Sequence, residues 1–374
     1  MANVRIVIYS VLPAYRKRKI DMKKLSLIIL AVFMVLTLQG CGTDTTYEEG
    51  KLNIVTTLYA SYDFANQVVG NKGHVTMLLS PGEESHSFDP TPKDIIRIAK
   101  CDLFIYNGGE NEEWVEGVLE AAGGHVRTLK MMDVVNEVYE EEIVEGMQHE
   151  HEHDEHGHEE AHEEVDEHDE HEVEIDGHED HEDAVSESSH EKDHEKDHGE
   201  YDEHVWTSLD NAMDIVHAIE KEVIEIDSKN ADMYSKRAWE YCDELAKLRD
   251  DIKKTVDNGK RKYILFGDRF PMRYFTEEFG LCYSAAFPGC SADTDADAAT
   301  IKYLIDKVND ENIPVIIKSE MSSGNIAETI ASETGRKVLT MYACHNIAKE
   351  DYEAGIGYLE LMQKNLEVLK EALY

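Results

Sequence analysis

The sequence predicts an α/β protein built from two Rossmann-like lobes, each a mostly parallel sheet flanked by helices. Two observations carry this prediction. Runs rich in β-branched residues alternate with segments of helical spacing on both sides of a long histidine and acid tract. Between the two alternating series, residues 230–256 keep apolar residues at helical spacing, which predicts a helix roughly 40 Å long at ~1.5 Å per residue. Two lobes joined by one such backbone helix enclose a cleft.

The first series predicts three strand–helix pairs. Thr91 and Pro92 supply an N-cap and a first-turn proline for its second helix. In chain order the segments are the strand LNIVTTLY, the helix SYDFANQVVGN, the strand HVTMLL, the helix TPKDIIRIAKC, the strand DLFIYNG and the helix NEEWVEGVLEAAGG.

The second series repeats the alternation after the long helix and ends in one terminal helix. Its strands are RKYILFGD, LCYSAAF, IPVIIKSE and KVLTMYA, and its helices are PMRYFTEEFG, DADAATIKYLIDKVNDEN, SSGNIAETIASETG and EDYEAGIGYLELMQKNLEVLKEAL. Ligands of open α/β sheets bind at the carboxyl ends of the strands, so the cleft is the expected binding site.

This pattern divides the chain into seven parts. They are a signal peptide at 1–40, a lipidated tether at 41–50, an N-terminal lobe at 51–136, a disordered His/Asp/Glu-rich loop at 137–203, the end of the N-terminal lobe at 204–229, the linking helix at 230–257 and a C-terminal lobe at 258–374.

The N-terminus predicts export and lipid anchoring. Two lysines after Met22 precede an apolar run at residues 25–38, which is too short for a membrane-spanning helix of about 20 apolar residues. The run ends in Leu-Gln-Gly-Cys at residues 38–41, which resembles a bacterial lipoprotein processing site with Cys41 as the lipidated residue. Gln39 departs from the small residue usual there. Met22 is a more natural start than Met1, and an uncleaved signal anchor is the alternative.

The net charge of -42 is concentrated in the histidine and acid tract. Residues 137–203 hold 32 acids and two lysines. A chain without a basic footprint is not expected to bind nucleic acid. The tract cannot bury apolar surface, so disorder is expected, with weak metal collection by its imidazoles and carboxylates. The collecting histidines are His149, His151, His153, His156, His158, His162, His168 and His171.

Five chemically suitable side chains follow predicted strands or begin a helix. His86 lies in a proline-stiffened loop, His204 begins a helix after the tract, Asp268 follows a strand, and Cys344 and His345 follow the last strand. Each has an ordinary structural interpretation as a loop or cap residue. Together they offer nitrogen, oxygen and sulfur ligands of the zinc type. No GxSxG or phosphate-binding glycine loop accompanies them, so a binding protein, not an enzyme, is expected.

SPGEESHSFDPTPKD and HVWTSLDNA, with the lipoprotein start and the long mid-chain helix, resemble the metal-binding solute receptors of bacterial ABC importers of zinc and manganese. The resemblance covers residues from 51 to the C-terminus. It implies that His86 and His204 bind metal and that Asp268 stands where the family usually has His or Glu. The family's fourth ligand, usually Asp, is absent, and His345 is the expected replacement, with Cys344 and Glu320 as alternatives.

The resemblance also implies partners and a metal. Two or three histidines and a His-rich loop favour Zn²⁺ as the transported ligand over Mn²⁺, which prefers more oxygen. An ABC permease with its ATPase, and the membrane through the lipid anchor, are the expected partners of a monomer on the outer face of the cell membrane. Some zinc receptors of the family carry a disulfide in the second lobe, which suggests a Cys290–Cys344 bond.

Three other functions remain open from the sequence. A metal buffer or sensor would use the tract as its main site, and an adhesin would use an unidentified surface. A zinc hydrolase would need an HExxH helix, and residues 158–162, HEEAH, fit that spacing formally. They lie in a low-complexity tract without an apolar helix face, so chance explains the match better.

Overall fold

A computed structural model describes residues 47–83, 88–148, 201–291 and 295–374. The signal segment, Cys41, His86 and the collecting histidines of the tract lie outside the described residues. Residues from Glu48 to Tyr374 group as one compact unit. None of the helices in the described ranges has the length and apolarity needed to cross a membrane.

The predicted alternation of strands and helices is present in both halves. The strands are β1 (Leu52–Thr56), β2 (Gly73–Met77), β3 (Leu103–Tyr106), β4 (Thr128–Lys130), β5 (Tyr263–Leu265), β6 (Arg269–Phe270), β7 (Cys282–Ser284), β8 (Phe287–Pro288), β9 (Val315–Ser319) and β10 (Lys337–Met341). The helices are α1 (Tyr59–Val69), α2 (Pro92–Lys100), α3 (Trp114–Ala121), α4 (Leu209–Ile226), α5 (Ala231–Asn258), α6 (Arg273–Phe279), α7 (Ala298–Asp310), α8 (Asn325–Thr334), α9 (Lys349–Glu353) and α10 (Tyr358–Leu373).

Both halves use the same strand order. The first sheet is parallel and runs β2–β1–β3–β4. In the second half β7 pairs with β5, a parallel bridge between Phe266 and Ile317 joins the β5 strand to β9, and β9 pairs with β10. With the two-residue strands β6 and β8, which pair with each other, set aside, the order is again second, first, third, fourth. Each half therefore has a switch point between the first and third of these four strands, where α/β proteins bind ligands.

Helix α5 is the predicted long helix. Its 28 residues span about 42 Å at 1.5 Å per residue. One face is buried, through residues that include Tyr234, Tyr241, Leu245 and Ile252, and it packs against α1, α4 and α10. The same hydrophobic core continues into the β-sheets of both halves, so the two lobes share one packed interior.

Local signals fix several helix ends. Thr91 is the predicted N-cap, and the structure adds a capping box, since its side chain accepts from the Asp94 amide and Asp94 accepts from the Thr91 amide. Ser208 caps α4 through the Asn211 amide. The terminal segment was predicted to form one helix, but the structure has two helices there, α9 and α10. Gly355, with φ of +72°, breaks it in a backbone conformation that glycine adopts without strain.

The ends of the histidine and acid tract are packed, which corrects the predicted boundaries of the disordered loop. An antiparallel bridge joins Glu140 to Tyr201, and the Asp202 amide donates to the Tyr139 carbonyl at 2.9 Å. Met147 is buried in the main core. Apolar side chains at residues 137–148 allow this packing, whereas the histidine and acid composition within 149–200 offers almost none.

Candidate metal centre

One cavity collects most of the predicted ligands. Its volume is about 60 Å³, and it lies at the carboxyl ends of the second-half strands. His204, Asp268, Glu320 and His345 line it. Glu83, three residues before His86 in the sequence, also lines it, so the described end of the first-lobe loop reaches the same cavity.

His204 is oriented by a neighbouring carboxylate. It is 1% exposed, and its Nδ1 lies 3.0 Å from Oδ1 of Asp202, which also accepts from the His204 amide at 2.8 Å. Because a carboxylate can only accept here, Nδ1 carries the proton and Nε2 has a free lone pair. A carboxylate–histidine pair of this kind orients metal-ligating imidazoles in proteins.

Nε2 of His204 is buried and has no hydrogen-bond partner among the residues that the structure describes. A buried polar atom without a partner costs about 1–3 kcal/mol, so the arrangement indicates a ligand. Burial disfavours the charged ring, but the Asp202 carboxylate outweighs it, and the pKa of His204 is raised above its ordinary value. A Cβ at Gly289 would lie 3.3 Å from Cε1 of His204, so glycine keeps this side of the ring open.

His345 places a second imidazole beside the first. The rings of His204 and His345 meet edge to face with centroids 5.3 Å apart, and Trp206 lies 5.2 Å from the His345 ring. Two imidazoles that share a tetrahedral zinc at ~2.0–2.1 Å have centroids roughly 5 Å apart. The ring separation therefore fits joint ligation of one small ion.

Glu320 shapes the segment that carries His345. Its Oε1 accepts from the Cys344 amide at 2.8 Å and its Oε2 from the Ala343 amide at 3.0 Å. Cys344 has φ of +60°, a left-handed conformation that is rare for a residue with a side chain. Desolvation raises the pKa of the Glu320 carboxyl, and the two amides oppose that shift. Glu320 therefore holds the backbone just before His345 in a strained turn.

Asp268 offers a carboxylate whose two oxygens are each held by one amide. Oδ1 accepts from the Arg269 amide at 2.9 Å and Oδ2 from the Ser319 amide at 3.1 Å. The side chain is 7% exposed. Each oxygen keeps lone-pair capacity for an ion, because a carboxylate has about four acceptor sites.

The described side chains do not by themselves complete a metal site. Within residues 47–83, 88–148, 201–291 and 295–374, no three His, Cys, Asp or Glu side chains are close enough to hold one ion. His204, Asp268 and His345 line the cavity without forming such a group, and His86 lies outside the described residues.

The comparison with protein families shows the family to which the chain belongs. Residues 54–372 match the family model described as ZnuA, zinc-uptake complex component A, periplasmic. The chain belongs to this family. The ZnuA match covers both lobes and the long helix, in agreement with the two-lobe fold.

Individual relatives agree with this membership. The chain is 29% identical over 352 residues to the high-affinity zinc uptake system protein ZnuA of Bacillus subtilis, covering 92% of this chain and 96% of that protein. It is 28% identical to the zinc-binding lipoprotein AdcA of Streptococcus pneumoniae over 94% of this chain but only 61% of that longer protein. The Zn(II)-bound ZnuA-like domain of AdcA superposes with a TM-score of 0.63 at 25% identity, covering 87% of this chain and 99% of the domain.

The suggested disulfide of this ZnuA-family chain is not formed in the structure. Cys290 and Cys344 are both free. The Cys344 thiol is buried among Tyr59, Tyr241 and Tyr358, whereas Cys290 lies near Glu141 and Asp202. Burial raises the pKa of both thiols. Cys344 also does not line the cavity, so the structure gives no support to it as a metal ligand.

Sequence reasoning missed three residues that line this cavity or hold its lining. Asp202 was hidden among the many acids of the tract, and nothing in the sequence separates it from them. Asn346 was overlooked beside His345, although its amide bonds to the loop before His86 at 2.7 and 2.8 Å. Glu83 lines the cavity, and its place in the first-lobe loop was the available signal.

Proposed function

We propose that this chain is a high-affinity zinc receptor that works outside the cytoplasm and delivers Zn²⁺ to an ABC importer. The observation that carries the proposal is the buried Nε2 of His204. Asp202 orients this ring, and His204 and His345 line the same cavity. Membership of the ZnuA family and the zinc-related names of its relatives support the choice of cargo.

The proposed ligands are His86, His204 and His345 with Asp268. Three imidazoles and one carboxylate give a nitrogen-rich, four-coordinate set that suits Zn²⁺ better than Mn²⁺, which prefers oxygen. Glu320 is proposed first as a positioning residue, because both of its oxygens accept from amides of the segment that carries His345. It stays the alternative ligand, since its oxygens, like those of Asp268, keep lone-pair capacity for an ion. The proposal assigns the chain binding and not catalysis.

The partners follow from the receptor role. The permease and ATPase of an importer are the proposed partners, with a lipid on Cys41 tethering a monomeric receptor to the outer face of the cell membrane. The lobes are assigned to residues 51–136 with 204–229, and to 258–374, around a linking helix at 230–257. The histidines between 149 and 171 are proposed to collect zinc weakly and exchange it rapidly beside the tight site.

Titration calorimetry of a chain lacking residues 149–198 distinguishes zinc binding at the tight site from zinc binding by the tract. The proposal expects one tight zinc site to remain and the weak zinc binding to disappear. Loss of the tight site with the tract would support a metal buffer in place of a receptor. A parallel titration with Mn²⁺ tests the cargo, since tighter binding of Mn²⁺ than of Zn²⁺ would overturn the zinc assignment.

His204 is tested in the same shortened chain. His204→Ala should abolish the tight site, because it removes an oriented ligand from the cavity. The matched control is His217→Ala, which removes an exposed histidine on α4 that pairs with Glu220. Tight binding that survives His204→Ala would refute the proposed ligand set.

A further inference from the structure

Asn346 joins two loops that belong to different halves of the protein. Its Nδ2 donates to the Ser80 carbonyl at 2.8 Å and to the Glu83 carbonyl at 2.7 Å, while its Oδ1 accepts from the Ile347 amide at 2.8 Å. The side chain is 2% exposed. Both amide hydrogens and the carbonyl oxygen are therefore used, which fixes the orientation of the amide group.

Residues 80–83 form a closed turn. The Glu83 amide donates to the Ser80 carbonyl at 3.1 Å, and the Ser80 amide donates to the Glu83 carboxylate at 3.2 Å. A further backbone bond crosses between the halves, since the Gly82 amide donates to the Ile347 carbonyl at 2.9 Å. The turn carries Glu83, which lines the cavity, so its position sets where the described end of the first-lobe loop meets the cavity.

The turn at 80–83 contacts the segment of residues 342–347, which carries His345. This contact between the turn and the segment is called the junction. It is held within the second half by Glu320 at the Ala343 and Cys344 amides. Across the cleft, the His345 carbonyl accepts from the Tyr59 amide at the start of α1 at 3.1 Å. Glu320 thus fixes the segment of residues 342–347 within the second half of the protein. Asn346 is the side chain that ties this segment to the turn at 80–83.

We propose that Asn346 is a positioning residue that locks the turn at 80–83 to the His345 segment and thereby sets the rate at which bound zinc is released. This inference rests on the proposed zinc site. An ion held by ligands from both loops leaves only when the loops separate. Separation requires breaking both bonds from Asn346, so their loss raises the dissociation rate of zinc more than its association rate.

The direct test is Asn346→Asp in the full chain, followed by stopped-flow release of zinc into a chelator. Aspartate keeps the acceptor for Ile347 and loses both donors to Ser80 and Glu83. We expect the stoichiometry of the tight site to be unchanged and zinc release to be faster by about tenfold or more, as expected for two lost hydrogen bonds.

Asn53→Asp is the matched control. Asn53 is also buried, and its side chain accepts from the Glu48 amide at 2.8 Å and donates to the Glu48 and Lys51 carbonyls at 3.1 and 2.9 Å, within the first half of the protein. The same substitution there should lower the melting temperature while zinc release stays close to the wild-type rate. Unchanged release in Asn346→Asp, or equal acceleration in Asn53→Asp, would overturn the proposal.

Hydrogen exchange of the wild-type chain provides a second test that needs no variant to fold. The Gly82 amide donates across the junction to the Ile347 carbonyl, so zinc should slow its exchange. Exchange of this amide that zinc leaves unchanged would overturn the proposed lock. A wild-type chain that binds no zinc in titration would instead refute the underlying receptor function, so the two failures are distinguishable.

Discussion

The carboxylate of Asp202 lies 3.0 Å from Nδ1 of His204, and the opposite ring nitrogen of this cavity-lining side chain is buried and has no hydrogen-bond partner among the described residues. The pair therefore fixes the tautomer and the orientation of one proposed zinc ligand before any ion arrives. A ligand that is already oriented loses little conformational freedom on binding, which favours high affinity. The predictions below follow from this relationship and from the backbone contacts around it.

Asp202→Asn should weaken zinc binding by about 10–100-fold, the usual cost of losing the carboxylate behind a metal-ligating histidine. Competition with a chromogenic chelator measures the change. Asp210→Asn is the control, since Asp210 is an exposed aspartate on α4 that pairs with Arg249. Equal affinities of Asp202→Asn and wild-type protein would show that the carboxylate does not support the site.

Glu320→Ala should lower both stability and zinc affinity, because the Ala343 and Cys344 amides lose their acceptor. The stability loss is expected to be about 1–3 kcal/mol for buried donors left without partners. Urea denaturation of the metal-free chain and zinc competition measure the two effects. Glu328→Ala on α8 serves as control. A loss of zinc affinity with unchanged stability would indicate that Glu320 is a metal ligand instead.

Glu278 should make stability depend on pH. Its Oε2 accepts from the Leu209 amide at 2.7 Å, and burial, with Asp210 nearby, raises its pKa to about 7. The ordinary value is about 4.3, so the folded state binds the proton more tightly than the unfolded state. The resulting stabilisation is fully present below about pH 4.3 and is lost as the pH rises through about 7.

Glu278→Gln removes this ionisation while keeping an acceptor for Leu209. The variant should be more stable than the wild type by about 1–3 kcal/mol at pH 8, and the difference should shrink as the pH falls toward 5. Denaturant melts across this pH range measure it. Glu277→Gln, at the neighbouring half-exposed glutamate, is the control. A stability difference that does not change with pH would contradict the assigned ionisation.

Much of the fold could be predicted because it depends on local patterns. The long helix was predicted at 230–257 and is found at Ala231–Asn258, since its apolar face repeats at helical spacing. Thr91 and Pro92 marked the start of α2 correctly. The break between α9 and α10 was missed, because a glycine inside a helical pattern is tolerated and does not by itself mark the end of a helix.

The site was predictable to a smaller extent. His204, Asp268 and His345 were singled out, and one cavity brings them together because parallel strands deliver their carboxyl ends to the same edge. Asp202 lies only two residues from His204, but nothing separates it from the other acids of the tract. Asn346 could not be found, since its role depends on contacts across the fold. The Cys290–Cys344 bond was suggested by resemblance alone, and the burial of the two thiols in different surroundings could not be read from their spacing.

The measurement that tests the central claim most directly is anomalous scattering at the zinc edge from crystals of the zinc-loaded chain. The proposed function predicts one strong peak in the cleft, about 2.0–2.1 Å from Nε2 of His204 and from a ring nitrogen of His345. Zinc peaks confined to residues 149–198, with none beside His204, would contradict it.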